Sequence, residues 1–220
     1  MNYTFHWYPA FKLLPKMIYG SITTIEIAFL SMIFGIILGA ILALGKNSNN
    51  KIIFSIANTW IEISRNTPAL YQIYMAYFGL GTFGIYVGSF GALLIGITFN
   101  NSGYLAETFR GGLRAIPTTQ MKTGRSLGMN FFQSFIYIIF PQLFKIVFHS
   151  ITNQTVLAIL MTSLGVIVGM NTDLMGVTNE LNALSFRTFE YFLFAAVLYY
   201  LITKIFINSA YLLNLKLFKY

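Results

Sequence analysis

The chain has no cysteine, only two histidines and only six acidic residues in 220. Without cysteine there is neither a disulfide nor a thiolate metal ligand, and His6 and His149 are too far apart in sequence to suggest a metal pair. No metal site is expected. No G-x-x-x-x-G-K-[ST] run occurs, so the chain offers no loop of the kind that cradles nucleotide phosphates. No Ser/His/Asp order or paired-acid arrangement suggests hydrolysis, and no catalytic residue is assigned. The first sixteen residues, MNYTFHWYPAFKLLPK, lack the basic region, apolar core and small-residue cleavage site of a removable signal.

What the chain has in quantity is apolar side chain. With 56% hydrophobic residues, 9% charged residues and a mean hydropathy of +0.68, it reads as an all-α integral membrane protein. The formal net charge of +8 comes from cations in short segments between apolar runs. Topology and anionic lipid headgroups account for them, and no nucleic acid is expected.

Residues 1–16 carry Phe5, Trp7, Tyr8 and Phe11 with two prolines and two lysines, the composition of an interfacial segment. A transmembrane domain over 17–215 follows, with five expected spans at about 17–44, 52–79, 86–108, 142–169 and 191–213, each near or above the length needed to cross. RNTP at 65–68 should kink the second span, because Pro68 has no N–H to donate. The glycine-rich 79–88 supplies a turn, and Pro141 is expected to separate the apolar 131–140 from the fourth span. Glu26 and Glu62 are the acids at or near membrane depth. A structural role is favoured for both, with Glu62 pairing to Arg65 one turn on.

Five crossings place the chain ends on opposite sides. With the N-terminus outside, the inner segments hold Lys46, Lys51, Arg110, Arg114, Lys122, Arg125, Lys216 and Lys219, against Lys12, Lys16 and Arg187 outside. The excess of lysine and arginine inside selects that orientation and puts the C-terminus in the cytoplasm.

The basic stretch 103–141 therefore faces the cytoplasm at about 110–130. It carries Arg110, Arg114, Lys122 and Arg125, with Lys145 just beyond. A short helix led in by Pro117 and released by Gly128 in a left-handed turn makes a rigid knob rather than a mere topology signal. The order YLAETFRGGLRAIPTTQ, then RSLGM, then IIFPQ resembles the EAA loop of bacterial ABC-importer permeases of the polar amino acid uptake family, which handles histidine, glutamine, arginine, glutamate and opines. RNTPALYQIYMAYFGLG at 65–81 and NQTVLAILMTSLGVIVG at 153–169 resemble further segments of that family, so the likeness covers nearly the whole chain.

The resemblance implies a type I importer permease fold with a cytoplasmic coupling helix. It implies a second permease subunit, identical or related, two cytoplasmic ATPase subunits that bind the ATP, and a solute-binding protein outside. This chain itself binds no cofactor. Matching the motif residue by residue places ATPase coupling on Glu107, Arg110, Gly111, Gly112, Ile116, Pro117, Gln120, Lys122, Arg125 and Gly128. Where the family has Glu-Ala-Ala, this chain has Lys122, Thr123 and Gly124. Where it has a lysine and an acid or amide before Ser-Ser-Leu, this chain has Leu160 and Met161.

Substrate groups are sought where helices break, because unwound backbone and half-helix ends supply donors and acceptors at membrane depth. Arg65, Asn66, Thr67 and Pro68 form one such place. Gln154, Met161, Thr162 and Ser163 form the other. The first is equally a plain proline kink and the second equally small-residue helix packing. The function expected is the permease subunit of an ATP-driven importer for a polar L-amino acid. Glutamate, aspartate or glutamine are favoured, because Arg187 stands in an outer stretch like that of glutamate-type permeases and Met161 offers a cation nothing. An ion-coupled secondary transporter and a non-transporting assembly subunit are the alternatives, and the expected location is the bacterial inner membrane.

Overall fold

A computed structural model describes residues 3–218. Lys219, counted above among the inner cations, and residues 1 and 2 of the N-terminal segment lie outside the described residues. Within them every regular element is helical. In chain order these are α1 (Trp7–Lys46), α2 (Lys51–Asn66), α3 (from Ala69 through a π turn at Met75–Gly79 to Thr82), α4 (Gly88–Ala115) and α5 (Thr118–Ser126). There follow α6 (Phe131–Val168), α7 (Leu174–Ser185) and α8 (Thr188–Leu217).

Three helices are long and apolar enough to cross a membrane: α1, α6 and α8. The other two expected spans correspond to α2 with α3 and to α4. Between α2 and α3 the backbone turns extended at Thr67 and Pro68, as a residue ahead of proline prefers. In α4 the consecutive Asn100, Asn101 and Ser102 lower the mean apolarity, yet all three are buried, so they meet protein rather than lipid.

Boundaries differ from the expected spans for identifiable reasons. α1 starts at Trp7, so most of the interfacial segment is its first turns. Pro9 falls in the first turn, where its missing N–H costs no helical bond, and Pro15 is tolerated inside. Pro141 does not separate two segments, contrary to expectation. The helix continues through it because the preceding turn, Phe135–Ile139, widens to π geometry, with Phe140 N–H bonding the Phe135 carbonyl. That widening accommodates the ring and the lost donor. α4 likewise runs on to Ala115, which makes Arg110 and Arg114 helical rather than loop residues.

α1 lies along α4 at close range, since a methyl on Gly39 would stand 2.8 Å from Leu105 Cβ and 3.2 Å from the Ala106 nitrogen. Small residues at such a seam let two backbones approach and gain dispersion contact where lipid offers no hydrophobic drive. The central core joins Ile27, Ala28 and Met32 of α1 with Ile73, Leu93, Ile97 and Leu105, and closes on Ala158 and Ile159 of α6. A second cluster unites Met17 of α1 with Leu174 and Val177 of α7 and Tyr191 of α8.

Candidate functional site

The segment between α4 and α6 is built as a stiff projection. Ile116, 7% exposed, is held among Ile139, Leu143 and Val147 of α6, and Pro117 then caps α5 in an extended conformation. At the other end Gly128 adopts φ +87°. Its N–H bonds the Arg125 carbonyl at 3.1 Å and Met129 N–H bonds the Gly124 carbonyl at 3.2 Å. This is the paired Schellman arrangement, which satisfies the last carbonyls of a helix through a left-handed residue. Asn130 and Gln133 at once open α6 with reciprocal caps. Both ends of α5 are therefore hydrogen-bonded into fixed turns.

Gly124 is the buried residue of α5, and a methyl there would stand 2.7 Å from Ile138 Cδ1 and 2.9 Å from Ser134 Oγ. Gly124 thus lets α5 rest directly on α6. Gln120, Lys122 and Arg125 are exposed on the far side, and Leu127 is 75% exposed beside them. Pro117 and Gly128 complete the projecting surface. Lys122, which replaces the acid of the motif, points outward and has no ion pair among the described residues.

Glu107, Arg110 and Gly112 do not join that surface. Glu107 accepts from Lys46 Nζ at 2.9 Å and from Arg110 Nε at 3.0 and 3.2 Å, with a further bond from the Arg110 guanidinium. These three side chains are only 15 to 20% exposed. Gly112 is buried against Val147 and Leu143, while Gly111 is exposed with open space above it. Glu107, Arg110 and Gly112 therefore serve packing and internal ion pairing, while Arg114 in the last turn of α4 is exposed along with the polar face of α5.

At the first helix break, Arg65 and Asn66 are exposed and Thr67 is half-buried. Gln72, which the sequence reading missed, closes the break: its Nε2 donates to the Ser64 carbonyl at 2.9 Å and to Thr67 Oγ1 at 2.8 Å. Its position four residues after Pro68 is the signal that could have found it, since an amide one turn into the new helix reaches back to the carbonyls the proline leaves open. Arg65 lies over the Tyr104 ring, 5.5 Å from its centroid, and does not pair with Glu62. Glu62 instead sits 3.9 Å from Lys46 and accepts from Asn66 Nδ2 at 3.0 Å. That corrects the expected pairing, and the geometry explains it: Lys46 comes over from the end of α1, while the tyrosine offers Arg65 a π face.

The second group is mostly inward. Gln154 is buried and donates to Asn101 Oδ1 at 2.9 Å, joining α6 to α4. Thr162, fully buried, returns its hydroxyl to the Ile159 carbonyl, and Ser163 does the same to Leu160. Met161 packs against the central core. Gly169, in the left-handed region, ends α6. The structure therefore brings Arg65, Asn66 and Tyr104 together on an exposed face and puts Gln154 and Thr162 in the helix seams.

Of the remaining charges, Glu26 is exposed on α1 among Ile22, Ile25 and Phe29. Arg187 donates to the Thr4 carbonyl at 2.9 Å and lies 3.7 Å from Glu190. It holds the N-terminal segment against the start of α8.

Comparison with known proteins identifies the architecture. The family described as binding-protein-dependent transport system inner membrane component matches residues 35–219. The nopaline transport system permease protein NocM of Agrobacterium fabrum is 27% identical over 199 residues, covering 86% of this chain and 82% of its own. The probable amino-acid ABC transporter permease protein PatM of Vibrio harveyi is 31% identical over 192 residues, covering 86% of each chain. A crystal structure of an amino acid ABC transporter with histidines superposes with a TM-score of 0.88 at 29% identity, over 97% of this chain and 100% of that one. The helical order, the capped projection at α5 and these matches agree, and the chain belongs to the inner-membrane components of binding-protein-dependent transport systems, with the type I ABC importer permease fold.

Proposed function

We propose that the chain is the membrane-spanning subunit of an ATP-driven importer for a polar L-amino acid, with glutamate, aspartate or glutamine favoured. The observation that carries the coupling half of this reading is α5: a short helix fixed at both ends, resting on α6 and turning Gln120, Lys122 and Arg125 outward. Such a knob passes on displacement instead of absorbing it. Two ATPase subunits bind it from the cytoplasm, and their closure on ATP moves α5 and rocks the helices attached to it. A second permease, a copy or a relative, completes the pathway, and a solute-binding protein delivers substrate to the opposite face. The distribution of lysine and arginine supports an outer N-terminus and a cytoplasmic C-terminus in a five-span topology.

The substrate half rests on Arg65, which is exposed beside a helix break with its guanidinium over the Tyr104 ring, and whose planar pair of donors suits a carboxylate. Arg187 no longer contributes, because Thr4 and Glu190 occupy it. The test is uptake by the purified permease, ATPase and solute-binding protein reconstituted in liposomes. ATP-dependent uptake of glutamate, aspartate or glutamine is expected. ATP-independent uptake driven by an ion gradient would overturn the coupling half, and robust arginine or lysine uptake with none of the three would overturn the substrate half.

A further inference from the structure

The ion cluster at the junction of α1, α2 and α4 lies outside both surfaces used above. Lys46 occupies the last turn of α1, Glu107 lies two turns before the end of α4, and Glu62 stands on α2. Lys46 reaches Glu107 at 2.9 Å and Glu62 at 3.9 Å, and Arg110 closes on the same Glu107 carboxylate. Below this cluster α4 continues through Gly111 and the buried Gly112 to Ala115, and Ile116 and Pro117 lead directly into α5. The α1–α2 connection, by contrast, holds a tight turn through Asn47 and Ser48 and the Asn50 cap of α2. Farther along α2 the Trp60 indole donates to Ser102 and Asn100 donates to the Ser64 carbonyl, while at the hairpin end the charges, with the packing of Ala43, Ile61 and Ala106, join it to α4.

We propose that Lys46, Glu107 and Arg110 are positioning residues that clamp the α1–α2 hairpin to α4, so that displacement of α5 moves the whole inner end as one body. This rests on the reading of α5 as the ATPase contact. Glu107 holds the geometry because it serves two cations at once, and each cation is too withdrawn from solvent for water to replace the carboxylate cheaply.

The absence of cysteine makes the test direct. Spin labels are placed at Ser48→Cys and Thr118→Cys in the complete transporter, and their separation is measured with and without ATP. In the otherwise unaltered chain the distance stays fixed while ATP drives uptake. In Glu107→Gln it broadens, and substrate moved per ATP hydrolysed falls about tenfold, a typical size for energetic coupling between sites. Glu107→Asp, which loses more packing than Glu107→Gln but keeps the charge that both cations need, retains both readouts better than Glu107→Gln, which simple loss of packing would not allow. A label distance that changes with ATP in the unaltered chain, or an unchanged transport-to-hydrolysis ratio in Glu107→Gln, overturns the clamp. Failure of the ATPase to bind the unaltered chain at all defeats the reading of α5 instead.

Discussion

Glu107 and Asp173 are carboxylates withdrawn from solvent toward opposite ends of the bundle. Glu107 is paired with Lys46, whereas Asp173 lies beside Gly20 and Thr24 of the same helix α1, more than twenty residues back and so about 30 Å away. Their partners differ in kind. Glu107 is shared by two cations from two helices. Asp173 is fully buried and caps α7, accepting from Met175 N–H at 3.2 Å and Gly176 N–H at 3.0 Å. A charge held by other charges can exchange partners, but a cap held by backbone dipoles is lost when its helix turns away. On the proposed clamp, the Glu107 end moves as a unit while the Asp173 end holds its shape.

The largest effect is expected where the cap is deleted. Asp173→Ala leaves the buried Gly176 N–H and the part-buried Met175 N–H unsatisfied and should destabilise the protein by about 2 kcal/mol in a thermal or denaturant melt. Asp173→Asn keeps one acceptor in place and should cost less than about 1 kcal/mol near neutral pH. Burial pushes the Asp173 carboxyl above its ordinary 3.8, against the pull of the Gly176 and Met175 N–H groups. The folded pKa then exceeds the unfolded one, so ionisation costs stability above the folded pKa, and that cost disappears as pH falls toward 3.8. Relative to Asp173→Asn, the native chain should therefore gain stability on acidification. A gap that moves the other way would show that the carboxylate is stabilised by its site.

Charge removal at the other carboxylate should have the opposite character. Glu107→Gln retains a side chain of the same shape yet strands Lys46 and Arg110, and it should cost about 2 kcal/mol at neutral pH. If the two conservative amide variants proved equally harmless, the distinction between charge clamp and dipole cap would collapse.

The same contrast shows what the sequence could reveal. Helix content, the capped projection and the glycine exit at Gly128 were legible because each depends on neighbouring residues: proline before, glycine after, and a polar run between apolar ones. The inward turn of Glu107, Arg110 and Gly112 was not, because nothing local says which face of α4 meets α1 and α6. That Gln154 and Thr162 lie in the helix seams was not legible for that reason too: a polar residue in a membrane helix reads as a site until its packing is known. Pro141 misled more simply, since a π turn can rescue a helix that a proline would otherwise end.

A smaller effect isolates the conformation of the exit turn. A methyl on Gly128 meets no atom within 4 Å, so the cost of a side chain there is purely that of holding φ +87°. Gly128→Val should lose about 1–2 kcal/mol from the turn. Because the whole molecule need not unfold to relieve it, the loss should appear as poor ATPase coupling more than as a lowered melting temperature. Gly128→Asn, which tolerates the left-handed region, should keep most of the coupling. Equal loss in both variants would point to a contact at Gly128 rather than to its backbone.

The smallest effect on stability, and the sharpest on partner choice, is expected at Lys122. The residue is exposed on α5, where a substitution normally changes stability by less than about 0.5 kcal/mol. It replaces an acid of the motif with a cation, so the ATPase surface that receives it should be acidic or less basic than usual for such transporters. Lys122→Glu should then leave the melting temperature of the permease unchanged while weakening its complex with the ATPase, and the weakening should shrink as salt screens the pair. Lys122→Gln should fall between the two. A complex that binds Lys122→Glu as tightly as the native chain at low salt would show that the position faces water, and the partner surface would then have to be sought at Gln120, Arg125 and Leu127.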